Sequence, residues 1–162
     1  MARRWAQRGR VVVIKNSSKL LALLGTVTGL AGAAPALANP GIALDSAVFI
    51  ERTEPGNVRN LEPASRLSRG DRVVTIVSWR RDAGNGGFTL INPLPRAVAY
   101  QASARDDEQV SVDGGRSWGR LGELRVAERF ATAEDVTHLR WRVPAGQAAA
   151  REGRIAYSGI VR

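Results

Sequence analysis

The chain has no cysteine, one histidine and one methionine among its 162 residues. Without cysteine sulfur there is neither a disulfide framework nor a thiolate metal centre, and nucleophilic catalysis by cysteine is excluded. His138 alone cannot build a metal site that needs two imidazoles, and it is the one candidate for a histidine general base. Lysine is absent beyond Lys19, so every later basic residue is arginine. Past residue 40 there is also no amphipathic repeat longer than a helical turn or two, which sets aside the helical bundles.

What is present divides sharply at residue 38. Residues 1–38 carry Arg3, Arg4, Arg8, Arg10, Lys15 and Lys19 with no acid, and then the apolar stretch Leu20 to Ala38. A basic region, an apolar region and a small-residue end form the pattern of a secretory signal peptide. Ala36-Leu37-Ala38 before Asn39-Pro40 fits the cleavage pattern, and Pro35 keeps the chain from being helical just upstream. Cleavage is therefore expected after Ala38. Retention as a membrane anchor is the alternative, oriented by the basic flank, although a stretch this rich in Gly, Ala and Thr is near the lower limit for spanning. Without cysteine, lipid anchoring at that residue is excluded.

Removing the six basic residues of the leader leaves 18 arginines against 15 acids in residues 39–162, a net charge of +3 rather than the +9 of the whole chain. The remaining arginines alternate with acids instead of clustering on one stripe, so nucleic acid is not an expected partner. Those 124 residues suffice for one domain that buries roughly two thirds of its unfolded surface. Its expected large fillers are Trp79, Trp118, Trp141, Phe49, Phe88, Phe130, Tyr100 and Tyr157.

Short alternating segments separated by turn residues run through this region. Ala47 to Glu51 reads as a first strand ended by Glu54-Pro55-Gly56-Asn57. Arg72 to Arg81 is apolar on both faces, as a central strand would be, and Asp82 to Gly87 is a loop. Phe88 to Ile91 is a strand closed by Asn92-Pro93-Leu94-Pro95, followed by strands at Ala97 to Ala102, Gln109 to Val112 and Trp118 to Leu124. Thr137 to Val143 has the cleanest alternation, and Arg154 to Val161 is the last strand. Residues 128–135 and 145–151 are read as connections. Seven or eight strands with turns about every ten residues predict an all-β, immunoglobulin-like antiparallel β-sandwich over 46–162, with 39–45 as an N-terminal extension.

Candidate chemistry is sparse. His138 shares a strand face with Arg140 and Arg142 and has no carboxylate on that strand to orient it, so it is expected to be a solvated surface group. Asp106-Asp107-Glu108 with Asp113 offers oxygen donors for calcium, but three consecutive acids lack the alternating spacing of a calcium loop. Ser111-Val112-Asp113-Gly114-Gly115-Arg116-Ser117-Trp118 matches the S-x-D-x-G-x-[ST]-W pattern of the Asp-box turn. In it the Asp accepts from backbone amides, the glycines reverse the chain and the Trp covers the base. It occurs once, so the several-bladed propeller that usually carries it is not expected. No catalytic, cofactor-binding or metal-ligating residue is assigned.

Gly70 to Ile76, Asn92 to Pro95 with Val98-Ala99-Tyr100, Val110 to Gly119, and Asp135 to Trp141 together resemble exported bacterial proteins related to the domain of unknown function 11 repeat. The resemblance spans about 46–162. It implies an immunoglobulin-like sandwich in the periplasm or on the cell surface and carries over no catalytic residue. The chain departs from it in the long glycine-rich loop Arg81 to Gly87, where such repeats have a short turn. The expectation is an exported, noncatalytic structural or interaction domain of the bacterial envelope. Its partner would be a protein or glycan, met through loops or at the edge offered by the last strand. A carbohydrate-binding module is the alternative, with Trp79, Trp118 or Trp141 accessible; a secreted hydrolase acting through His138 or Asp113 comes third.

Overall fold

The computed structural model describes the backbone of residues 10–13 and, with their side chains, residues 41–56 and 58–162. Eleven strands lie among them: β1 Arg10–Val13, β2 Ile42–Glu54, β3 Val58–Pro63, β4 Arg72–Arg81, β5 Phe88–Pro93, β6 Val98–Ser103, β7 Gln109–Ser111, β8 Arg125–Val126, β9 Arg129–Phe130, β10 His138–Val143 and β11 Glu152–Val161.

Period-two alternation builds the layers. In β4 the odd positions Val73, Thr75, Val77, Trp79 and Arg81 are buried, while the even positions are less so. In β10, Leu139, Trp141 and Val143 are buried, and His138, Arg140 and Arg142 take the other face. The two apolar faces meet. One sheet has the order β3-β2-β4-β11-β6 and the other β1-β5-β10-β7, with β8-β9 as a separate ribbon. All pairs are antiparallel except β1 with β5, which is parallel. The protein is an all-β antiparallel sandwich.

Aromatic rings fill the space between the sheets. Trp79 of β4 meets Phe88 of β5 edge-on at 5.2 Å between centroids, and Trp141 of β10 lies 5.9 Å from Tyr157 of β11. Two polar bonds are enclosed with them. The Asn92 side-chain amide donates to the Tyr157 hydroxyl at 2.6 Å, and the Trp141 indole donates to Ser103 Oγ at 3.1 Å. Such bonds fix which groups face each other across an otherwise non-directional apolar interface. Burial pushes the Tyr157 phenol above its ordinary value, so it stays a neutral donor and acceptor there. Gly153 of β11 sits directly against Trp79; a Cβ there would come within 2.5 Å of the indole, so the close fit depends on glycine.

Several expectations are corrected. The first strand past the expected leader is Ile42–Glu54 rather than Ala47 to Glu51, and residues 42–45 already pair with β4 from Ile42↔Arg81 to Asp45↔Ser78. β3 has no counterpart among the expected strands, because its six residues are all exposed and carry no inward apolar series to reveal it. Trp118 to Leu124 is not a strand. Gly119 alone bridges to Val110, and the chain then turns, with the Glu123 amide donating to the Arg120 carbonyl. Phe130, an expected core filler, is 60% exposed on the β8-β9 ribbon, where the Arg125 guanidinium covers its ring at 4.9 Å. β11, expected to offer an edge, lies in the middle of its sheet between β4 and β6.

Of the expected leader, residues 1–38, only Arg10–Val13 lies within the described residues, and it forms the outer strand of the smaller sheet. The proposed cleavage site lies outside them. No helix among the described residues is long and apolar enough to cross a membrane.

Candidate functional site

The outer face of β7 and β10 carries the most polar chemistry. It is built from the turn that follows β7. Ser111 is fully buried at the end of β7, and its hydroxyl donates to Asp113 Oδ1 at 2.7 Å while accepting from the Gly115 amide at 2.8 Å. Asp113 then closes the turn: Oδ1 accepts from the Arg116 and Ser117 amides at 3.0 and 2.9 Å, and Oδ2 from the Ser117 hydroxyl at 2.6 Å. Gly114 and Gly115 take φ of 79° and 90°, a left-handed pair that side chains would strain. Donation by Ser117, first through its hydroxyl and then its amide, holds the Asp113 carboxyl far below the usual carboxylate range.

Thr137 ties this turn to the next strand. Its amide and hydroxyl both donate to the Ser111 carbonyl, and its oxygen accepts from the Gly114 amide at 3.1 Å. The following residue, His138, is thereby fixed beside Trp118, edge to face at 6.4 Å. Arg140, two residues on, lays its guanidinium over the Trp118 ring at 4.5 Å and is held by Gln109 Oε1. Two side chains of β10 and one of the turn thus form one stack, with Trp118 half-buried at its centre.

His138 was expected on the solvated face, and it is on that face but half covered by Trp118. The covering lowers its imidazole below the ordinary value, against the opposing charge of Asp113. Its Nδ1 is 3.1 Å from the Thr137 hydroxyl, and no carboxylate hydrogen-bonds to it among the described residues. The geometry can orient a neutral ring. It does not assemble a nucleophile, a base and an orienting acid.

The acidic run takes structural partners instead of converging. Asp107 forms a two-point pair with Arg105 at 2.7 and 2.6 Å, and Arg105 also reaches Gln147 and the Arg142 carbonyl, joining two connections and the end of β10. Donation from Arg105 draws the Asp107 carboxyl below its ordinary value. Glu108 accepts from the Tyr100 hydroxyl at 3.2 Å. No group of three or more His, Asp or Glu side chains converges as a metal site among the described residues.

Of the three indoles named for a sugar platform, Trp79 and Trp141 are 5% and 0% exposed and belong to the core; only Trp118 reaches the surface, with Arg140 over its ring. A shallow open depression of about 510 Å³ crosses β2, β4 and β11, where Asp45 and Glu152 alternate with Arg80 and Arg154. Two features escaped the sequence reading. The Arg140–Trp118 stack needs the turn to close before the residues meet, and Arg81 is an arginine on the buried series of β4, only 4% exposed. The sole signal for Arg81 was its odd-numbered place in that alternation.

Compared with protein-family models, with curated proteins and with solved structures, the chain finds no match.

Proposed function

We propose that the protein is an exported, noncatalytic interaction domain of the bacterial envelope, periplasmic or at the cell surface. Export is supported by the basic, apolar and small-residue succession of residues 1–38 and by the Ala36-Leu37-Ala38 end. The resemblance of residues 46–162 to domain of unknown function 11 repeats agrees with that location.

The observation that carries the noncatalytic part is the state of Asp113, the acid in the most specific motif of the chain. Both its oxygens are taken up by donors from its own turn. A carboxylate so engaged is a poor base and a poor nucleophile, because its lone pairs are occupied and its protonation is opposed. The stack of His138, Trp118 and Arg140 likewise spends its groups on each other. Surface chemistry of this kind suits recognition of a partner by a rigid scaffold.

The test is fractionation of a Gram-negative host expressing the full chain, with N-terminal sequencing of the recovered protein and crosslinking to envelope components. The expected result is a periplasmic or surface protein beginning at Asn39 that crosslinks to a discrete envelope partner. Recovery in the cytoplasm with residues 1–38 attached, or turnover of a substrate lost in His138→Ala, would overturn the reading.

A further inference from the structure

The smaller sheet ends at β5, and what covers that edge is β1. Arg10–Val13 runs parallel to it in a defined register, Arg10↔Phe88, Val11↔Thr89, Val12↔Leu90 and Val13↔Ile91. β5 itself has no charged residue between Phe88 and Pro93, and its Phe88 and Leu90 are 2% and 0% exposed. An uncharged, unbulged edge of this length is a template for a further strand. Trp79 of β4 packs on Phe88, while Trp141 and Tyr157 place β10 over β11. The position beyond β5 therefore falls on the β2 side of the facing sheet. There Ile42, Leu44 and Val48 are only partly buried against the core. Edge and floor together form a slot for an apolar extended segment.

At one end of that slot a cation has no charge partner among the described residues. Arg81 is 4% exposed, its guanidinium lies over the Phe88 ring at 5.1 Å, and neither Nε nor Nη1 has a hydrogen-bond partner among the described residues. A buried cation without an anion is costly, and the cost is removed by supplying a carboxylate. In the register of β1, the position opposite Phe88 is held by Arg10 and not by an acid.

We infer that the β5 edge is a strand-accepting site that β1 fills as a placeholder, and that its proper occupant is an extended, β-branched segment of another polypeptide carrying Asp or Glu opposite Phe88. The inference rests on the export reading for one step only: removal of residues 1–38 is what frees the edge in the exported protein.

The test uses the full chain bearing Val11→Pro and Val12→Pro, so that proline removes whichever of the two amides bonds to β5. Fluorescein-labelled peptides Asp-Val-Val-Val-Ile and Arg-Val-Val-Val-Ile are titrated by anisotropy. Both should bind the proline variant and neither the unaltered chain, with the Asp peptide at least about tenfold tighter. Adding Arg81→Met should bring the two within about twofold while binding persists. No binding by a variant that keeps its native tryptophan emission would overturn the site. So would an unfolded proline variant, which would make β1 integral to the core. Equal affinity of the two peptides for the variant with Arg81 intact would overturn the charge assignment. N-terminal sequencing of the exported protein reports separately on the export reading: a retained leader would fail that reading while the peptide titration still decides the site.

Discussion

The sandwich has a bare outer strand, β3, and a strand, β5, that β1 covers, and the difference shows how a sheet is kept from joining others. β3 is exposed along its whole length and is blunted by charge. Arg59 is 3.6 Å from Glu51 and Arg52 is 3.8 Å from Glu62 across the β2-β3 ribbon, and Pro63 ends the strand. β5 shares the terminal proline, at Pro93, but not the charges. Its alternate residues are buried, it carries no charge, and a four-residue strand covers it. An edge meant to stay bare is built from polar residues, whereas one built from apolar residues needs a cover. At the far side of the smaller sheet, β7 shows a third solution. It is three residues long and is followed at once by the Asp113 turn.

The contrast is sharpened most by substitution under each edge. Leu90→Ala in β5 removes a side chain with no solvent exposure and should cost about 2–5 kcal/mol in urea unfolding. A cost below 1 kcal/mol would mean that the β5 face is not part of the tight core. Gly153→Ala should cost about 1–3 kcal/mol, because its methyl group would collide with Trp79 beneath the same edge. A neutral result there would show that the indole has room to move away.

The β7 edge answers to pH. The carboxyls of Asp113 and Asp135 are held well below their ordinary values, Asp113 by Ser117 and Asp135 by Arg129. A carboxyl with a depressed folded value contributes fully above its unfolded pKa of about 3.9, and the contribution is lost as pH falls through the folded value. Thermal midpoints should therefore fall as pH is lowered below about 4–5, and less steeply in Asp113→Asn, which starts from a lower midpoint at pH 7. An identical slope in both proteins would remove the turn from the account. The smallest effect is expected at β3: Leu61→Ala, at a site 41% exposed, should change stability by no more than about 0.5 kcal/mol.

Where a strand buries one face, sequence reveals it, and this divides the legible from the hidden. Arg72–Arg81 and the run ending at Val143 stand out because burial imposes period two on Val73, Val77 and Trp79, and on Leu139, Trp141 and Val143. β3 lacks that imprint, since all six residues of Val58–Pro63 are exposed. Trp118 to Leu124 carries apolar residues at strand-like spacing, yet Gly119 and Gly122 let the chain turn away after one bridge. The Asp113 turn was readable because its bonds span at most four residues. The stack of Trp118 on Arg140 and the burial of Arg81 over Phe88 were not, because each depends on strands that meet only after folding. The role of Arg10–Val13 was hidden for another reason: a basic and apolar leader and an apolar edge strand share the same composition.

Native-state hydrogen exchange of the full chain tests the central claim, that β5 is a strand edge held by a replaceable cover. The expected result is slow exchange at the β5 amides that face β1, fast exchange throughout β3, and loss of the β5 protection alone in the Val11→Pro and Val12→Pro chain. Unchanged protection of β5 in that variant, or protection of β3 equal to that of β5, would contradict it.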